Sequence, residues 1–297
     1  MNRLPSWFRQ PFPEQEKVLN FKAFLKSKHV YTVCQGAHCP NLTRCWQQKV
    51  ATFMILGDVC TRACRFCAVT SGTPKAVDEK EPFAIADAVR DAGLDYVVLT
   101  SVTRDDLKDQ GVDQFCRTMS AIRSHREEAC IEVLVPDLRA DPLLIQKIIE
   151  CAPQVFGHNI ETVKRLSSVF RPQADYHRSL KVLRIAKDHA PGIFVKSGLM
   201  LGLGETDADI MEAMRELLDH GCDILTLGQY LSPSRTSRHI VVQRFVHPDD
   251  FQRYKDKALA LGFKGVVSGP LVRSSYMAKE MYEACCAKNL AAGRTLI

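Results

Sequence analysis

Apolar residues in this chain fall into short, nearly continuous runs. Six runs, at 51–57, 96–102, 131–137, 155–160, 193–201 and 224–231, are rich in β-branched side chains, as parallel strands covered on both faces are. Between them, apolar positions recur at helical spacing over 82–92, 113–127, 142–151, 174–188 and 207–220. Asp141 stands as an N-cap before Pro142, and Gly221 follows His220 as a C-terminal stop, both ordinary helix punctuation. This alternation argues for an α/β barrel or an open doubly wound sheet. A further helix at 248–261, a strand at 265–267 and a terminal helix near 276–288 follow, while residues 1–50 fit no strand–helix unit.

Composition narrows the class. A chain of 297 residues that is 46% apolar and 25% charged can bury a large core, which excludes collagen-like, coiled-coil and wholly disordered readings. Its apolar runs fall far below the roughly 20 residues of a membrane span. Residues 1–13 hold Arg3 and Arg9 without an apolar segment, and Pro5, Pro11 and Pro13 spoil a transit helix; a soluble cytoplasmic protein, with no membrane partner, is expected. The net charge of +6 is confined to residues 1–50, which carry eight basic against two acidic side chains. That arm is either a solvated basic face or a surface for an anionic partner.

Six of the twelve cysteines lie between Cys34 and Cys67. Without an export signal, clustered thiols more often hold metal than pair with each other. The scattered Cys116, Cys130, Cys151, Cys222, Cys285 and Cys286 read as small core residues. Cys60, Cys64 and Cys67 form C-x-x-x-C-x-x-C directly after the first strand, in a loop on the face where such barrels carry out chemistry. Three thiolates hold one centre and leave one position open, as an iron–sulfur cluster with an accessible iron would. A zinc site with a remote fourth ligand is the competing reading.

With Phe66 before its last cysteine, this triplet resembles the signature of radical S-adenosylmethionine (SAM) enzymes. In that superfamily the open iron chelates the amino and carboxylate groups of SAM, whose reductive cleavage yields a carbon radical. A second triplet, Cys34, Cys39 and Cys45, narrows the resemblance, together with Arg273-Ser274-Ser275-Tyr276-Met277-Ala278, the segment 51–58 and the segment 196–206. From about Trp7 to Ala278 the chain closely resembles the lipoyl synthase family.

That resemblance implies an α/β fold, a partial (βα)6 TIM-like barrel over 51–235, with an N-terminal extension (1–50) carrying auxiliary-cluster cysteines and a C-terminal extension (236–297) carrying a serine ligand. It implies two 4Fe–4S clusters, one on Cys60, Cys64 and Cys67, the other on Cys34, Cys39, Cys45 and Ser275, with Ser274 as the alternative. A serine oxygen is a hard donor on a centre that favours soft sulfur. The chain departs from the family at Gln35-Gly36, where two glutamates are common, and at Met277, where histidine is common; neither is a proposed ligand.

Similarity to biotin synthase assigns Asn159 and Glu161 to the SAM ribose and Arg178 to its carboxylate, a task suited to a guanidinium. Gly202 and Gly204 resemble the family's segment near adenine, and Thr100, at the end of the second strand, is placed near the amino group. The implied activity is insertion of two sulfur atoms at C6 and C8 of an octanoyl group on a carrier lysine, consuming two SAM. Implied partners are octanoylated lipoyl carrier domains (glycine cleavage H protein or 2-oxoacid dehydrogenase acyltransferase subunits), a donor such as flavodoxin or ferredoxin, and an iron–sulfur carrier. Two other classes stay open: a nonenzymatic two-cluster electron carrier, and a zinc protein binding nucleic acid, which lacks finger-spaced histidines and an aromatic stripe. A related radical SAM sulfur-insertion enzyme is the nearest alternative, and no nucleic-acid partner is expected.

Overall fold

The computed structural model describes residues 4–234, 236 and 238–291; Arg3 of the basic arm lies outside them. These form two compact units, one of residues 12–63 and 67–154, the other of the described residues among 4–11, 64–66 and 155–291.

In the first unit, helices α1 (Gln15–Ser27), α2 (Val33–Gly36) and α3 (Leu42–Gln47) occupy the segment without a strand–helix pattern. Trp46 of α3 is 1% exposed and meets the Phe21 ring edge-on at 6.0 Å. This segment attaches to the edge of strand β1 (Thr52–Ile55), where Met54 N–H donates to Tyr31 O at 2.9 Å and Thr32 bridges Phe53 in antiparallel fashion. The attachment satisfies an edge that would otherwise template foreign strands.

After the two-residue strands β2 (Val59–Cys60) and β3 (Thr70–Ser71) come α4 (Glu81–Ala92), β4 (Tyr96–Ser101), α5 (Val112–His125), β5 (Cys130–Leu134) and α6 (Pro142–Glu150). β4 pairs in parallel with β1 on one side and β5 on the other. All four residues of β1 are buried, which explains its unbroken apolar run. Asp141 caps α6 as expected, its carboxylate accepting from Leu143 N–H at 2.9 Å.

The second unit runs β6 (Val155–Gly157), α7 (Lys164–Phe170), α8 (Tyr176–His189), β7 (Phe194–Leu201), α9 (Asp207–Asp219), β8 (Ile224–Gln229), α10 (Pro248–Leu261), β9 (Gly265–Gly269) and α11 (Ala278–Ala291). β6, β7, β8 and β9 pair in parallel in that order. Strand β9 thus joins the sheet beside β8. β6 ends at Gly157, and the chain pairs with β7 again at Glu161, which bridges Leu199 in parallel at a φ of +64°. Helix α7 went unread in the sequence, since its seven residues are too few to display a helical period. α11 starts at Ala278, two residues later than its pattern suggests, because residues 274–277 form turns, with Met277 at φ +53°.

Cys222 and Cys285 are buried as small core residues, Cys285 packing with Val155, Phe194 and Ile224. Cys116, Cys130, Cys151 and Cys286 are only half-buried.

Candidate active site

In the first unit, the loop bearing Cys60 is held at both ends. Behind it, the Glu81 carboxylate at the start of α4 accepts from Leu56 N–H at 2.8 Å and Gly57 N–H at 3.2 Å. Within it, Thr61 N–H and Oγ1 both donate to Thr103 O at 3.0 Å. The Cys60 sulfur accepts from the N–H groups of Thr103 at 3.3 Å and Arg62 at 3.4 Å. Hydrogen bonds to a cysteine sulfur tune a cluster bound there.

Arg62 is the anchor. Its guanidinium is buried, with Nε and Nη2 donating to Asp105 at 2.7 and 2.8 Å and Nη1 and Nη2 donating to Asp137 at 2.8 and 2.9 Å. The Asp137 side chain is wholly buried. Arg62 holds the Asp105 carboxyl below the usual carboxylate range. The fork geometry, bidentate on both sides, suits guanidinium and no other side chain. Sequence reading missed this residue; its signal was an arginine inside the triplet, with acids just beyond β4 and β5.

Cys34 lies buried in α2, capped by Thr32 Oγ1, which accepts from Gln35 N–H at 3.4 Å. Burial pushes its thiol up to about 11, with the neighbouring Cys39 adding to the shift. Cys39 N–H donates to Cys34 O at 3.0 Å, and Cys45 on α3 is half-buried. Thr100 is buried on β4, its Oγ1 donating to Leu134 O at 2.9 Å. Cys67 belongs to this unit, while Cys64 belongs to the other.

In the second unit, Arg65 N–H donates to Phe170 O at 2.9 Å, and Phe66 packs on Phe170, Leu203 and Tyr230. Past the end of β6, Asn159 Nδ2 donates to Glu161 Oε1 at 3.1 Å and to Ser274 Oγ at 2.6 Å. A non-glycine residue at positive φ, such as Glu161, tends to mark a functional site. Its backbone is fixed on both sides, by its N–H to Gly198 O at 3.0 Å and by Met200 N–H to its own O at 2.9 Å. Burial pushes the Glu161 carboxyl up, against the opposing pull of Arg171 and of the Asn159 amide.

Arg171, a second residue the sequence did not single out, is buried and donates to Ile160 O at 2.9 Å and Ser179 Oγ at 3.1 Å. Arg178 opens α8, its N–H capped by Asp175 at 2.6 Å and its Nη2 on Gln173 O at 3.2 Å. Gly202 and Gly204 form the turn leaving β7, held by the buried Glu205 carboxylate, which accepts from Gly202 N–H at 2.7 Å and Leu203 N–H at 2.8 Å. Two other glycines permit close approaches near these residues. A Cβ on Gly198 would stand 2.8 Å from both Asn159 Oδ1 and Thr226 Oγ1; one on Gly228 would stand 2.1 Å from Val272 O, so β8 accepts the segment leading to Ser274 only because that side chain is absent. Ser275 sits in the turns before α11, half-buried.

Among the described residues, no three His, Cys, Asp or Glu side chains converge tightly enough for a single metal ion; a four-iron cube spaces its thiolates more widely. The donors fit such clusters: two all-cysteine triplets, one sulfur already receiving two N–H groups.

The comparisons define the class. Residues 54–217 match the Radical SAM superfamily. A solved FeFe-hydrogenase maturase, HydG of Carboxydothermus hydrogenoformans, shares the fold at a TM-score of 0.54 and 12% identity, over 93% of this chain and 79% of that one. The fold is therefore the α/β partial barrel of radical SAM enzymes. Lipoyl synthases of Rubrobacter xylanophilus and Syntrophotalea carbinolica are 48% and 50% identical to the chain, over 94% and 92% of it and 86% and 88% of their own lengths. The chain belongs to the lipoyl synthase family, radical SAM sulfurtransferases that use 4Fe–4S clusters and SAM and act on lipoyl carrier proteins. No described helix is long and apolar enough to cross a membrane.

Proposed function

We propose that the chain inserts two sulfur atoms, at C6 and C8, into an octanoyl group carried on a lysine of a lipoyl domain. Cys60, Cys64 and Cys67 would hold the cluster that meets SAM. Cys34, Cys39, Cys45 and Ser275 would hold the auxiliary cluster, with residues 1–50 and 236–297 as the extensions supplying its ligands to the 51–235 core. When bound, the first cluster with SAM supplies hydrogen-atom abstraction, and the auxiliary cluster supplies sulfur. The chain's own residues place and shield these groups. Asn159 and Glu161 would take the ribose, Arg178 the methionine carboxylate, Thr100 the neighbourhood of the amino group, and Gly202 and Gly204 the adenine, with Phe66 as a further cofactor contact. Unactivated C–H bonds ask nothing of a side-chain base.

One observation carries this reading: the tail serine Ser274 is hydrogen-bonded at 2.6 Å to Asn159. Sulfur donation needs a ligand segment beside the SAM residues, because the carbon radical must meet sulfur before it meets anything else. The basic residues of 1–50 would steer an acidic carrier domain; of these, Lys28 pairs with Asp91 and Lys17 with Glu14. A flavodoxin or ferredoxin type of donor, an iron–sulfur carrier and a cytoplasmic site complete the proposal.

The test is metal analysis of the anaerobically reconstituted protein, beside mass spectrometry of an octanoyl-lysine peptide treated with SAM and reductant. Two loaded clusters correspond to about eight irons, and the peptide should gain two sulfurs. Iron for a single cluster, with Cys34, Cys39 and Cys45 intact, would overturn the assignment.

A further inference from the structure

Two cysteines outside both triplets face each other across α5 and α6. Cys116 Sγ donates to Lys147 O at 3.5 Å, and Cys151 Sγ donates to the same oxygen at 3.3 Å. One carbonyl, with its two lone pairs, therefore gathers both thiols. The helices around them are tied in place: Lys147 Nζ meets Asp113 Oδ1 at 3.3 Å, and the Arg123 guanidinium donates to Cys151 O and, at 2.5 Å, to Ala152 O. Both thiols are half-buried, so a small reagent can reach them, unlike Cys222 and Cys285.

We propose that Cys116 and Cys151 form a dithiol modification site that closes to an intramolecular disulfide by exchange with a low-molecular-weight disulfide such as oxidised glutathione. Cys116 sits within α5, and the first attack is taken by Cys151, at the C-cap of α6. Its thiolate attacks one glutathione sulfur, forming a mixed disulfide and expelling one glutathione thiolate. Cys116 then loses its proton and attacks the Cys151 sulfur, forming the protein disulfide and expelling the second glutathione thiolate. Two protein thiols are oxidised, one glutathione disulfide is reduced, and the two thiol protons end on the two glutathiones. The bond staples α5 to α6 and restricts the unfolded chain between them. Neither thiol is a proposed cluster ligand, so closure requires no loss of iron.

Trypsin makes the test unambiguous, because peptides 109–117 and 148–164 each carry a single cysteine. The reconstituted holoenzyme is incubated anaerobically with oxidised glutathione, alkylated, digested and mapped by mass spectrometry. The expected result is a 109–117/148–164 linked peptide that dithiothreitol releases, and in Cys116→Ser a glutathione adduct on Cys151 instead. Thermal unfolding should show a higher midpoint for the oxidised wild type and no such gain in Cys116→Ser. Recovery of both wild-type peptides alkylated, or each bearing its own glutathione, would overturn the proposal.

Discussion

The Asn159 amide donates to Ser274 Oγ at 2.6 Å across 115 residues of chain. The same nitrogen donates to Glu161 Oε1 at 3.1 Å, so a strand-end pair and a tail serine share one donor group. Gly198 leaves Asn159 room for this orientation, and Gly228 lets the tail approach β8.

Replacing Asn159 with Ala removes both bonds without adding bulk. SAM affinity, measured anaerobically by equilibrium binding, should fall by about 1–3 kcal/mol, or roughly 5- to 150-fold in Kd. Asn159→Asp should be at least as poor at neutral pH, since it sets a second carboxylate beside Glu161. Unchanged SAM binding in both variants would remove Asn159 from the cofactor site.

Arg62→Ala leaves the wholly buried Asp137 carboxylate without its guanidinium. The expected cost is about 3–5 kcal/mol of stability, read as a lower thermal midpoint and as less iron per chain after reconstitution. Arg62→Lys keeps the charge but loses the double fork, so it should fall between wild type and Ala. A wild-type midpoint for Arg62→Ala would show that the bridge does not hold the Cys60 loop.

Glu161 gives a testable pH dependence. Its carboxyl is held above the usual range in the folded protein, with burial the first cause. The folded state therefore binds this proton more tightly than the unfolded chain, and the contribution is present at low pH and lost as pH rises through the folded value. Glu161→Gln removes that loss: the apoenzyme should unfold at a higher temperature than wild type at neutral pH, with the gain shrinking toward pH 4. SAM binding should weaken at the same time, separating function from stability. A variant less stable than wild type at neutral pH would contradict the sign.

Ser275→Cys tests the hard-oxygen ligand. If the serine makes one corner of the auxiliary cluster labile, a thiolate there should preserve iron content while sulfur insertion into an octanoyl peptide falls at least tenfold. Full product yield with normal iron would count against a special role for the serine oxygen.

Much of this was legible along the chain. The strand–helix rhythm was readable because each buried parallel strand is a nearly continuous apolar run, and both triplets because the cysteines of each are close in sequence. Helix α7 and the late start of α11 were not, since a short helix and a positive-φ turn leave no periodic trace. Asn159 and Glu161 were singled out through likeness to biotin synthase, but nothing local tied Asn159 to Ser274.

What the chain determined by itself was therefore whatever depends on neighbours in sequence: the α/β class, the loop after the first strand and the six clustered thiols. Tertiary structure alone decided the long-range partners: Arg62 between Asp105 and Asp137, Ser274 on Asn159, and Cys116 beside Cys151. The reason is physical, because a buried charge or hydrogen bond is satisfied by whichever group the fold delivers, and sheet order and helix packing, rather than any local pattern, set that delivery.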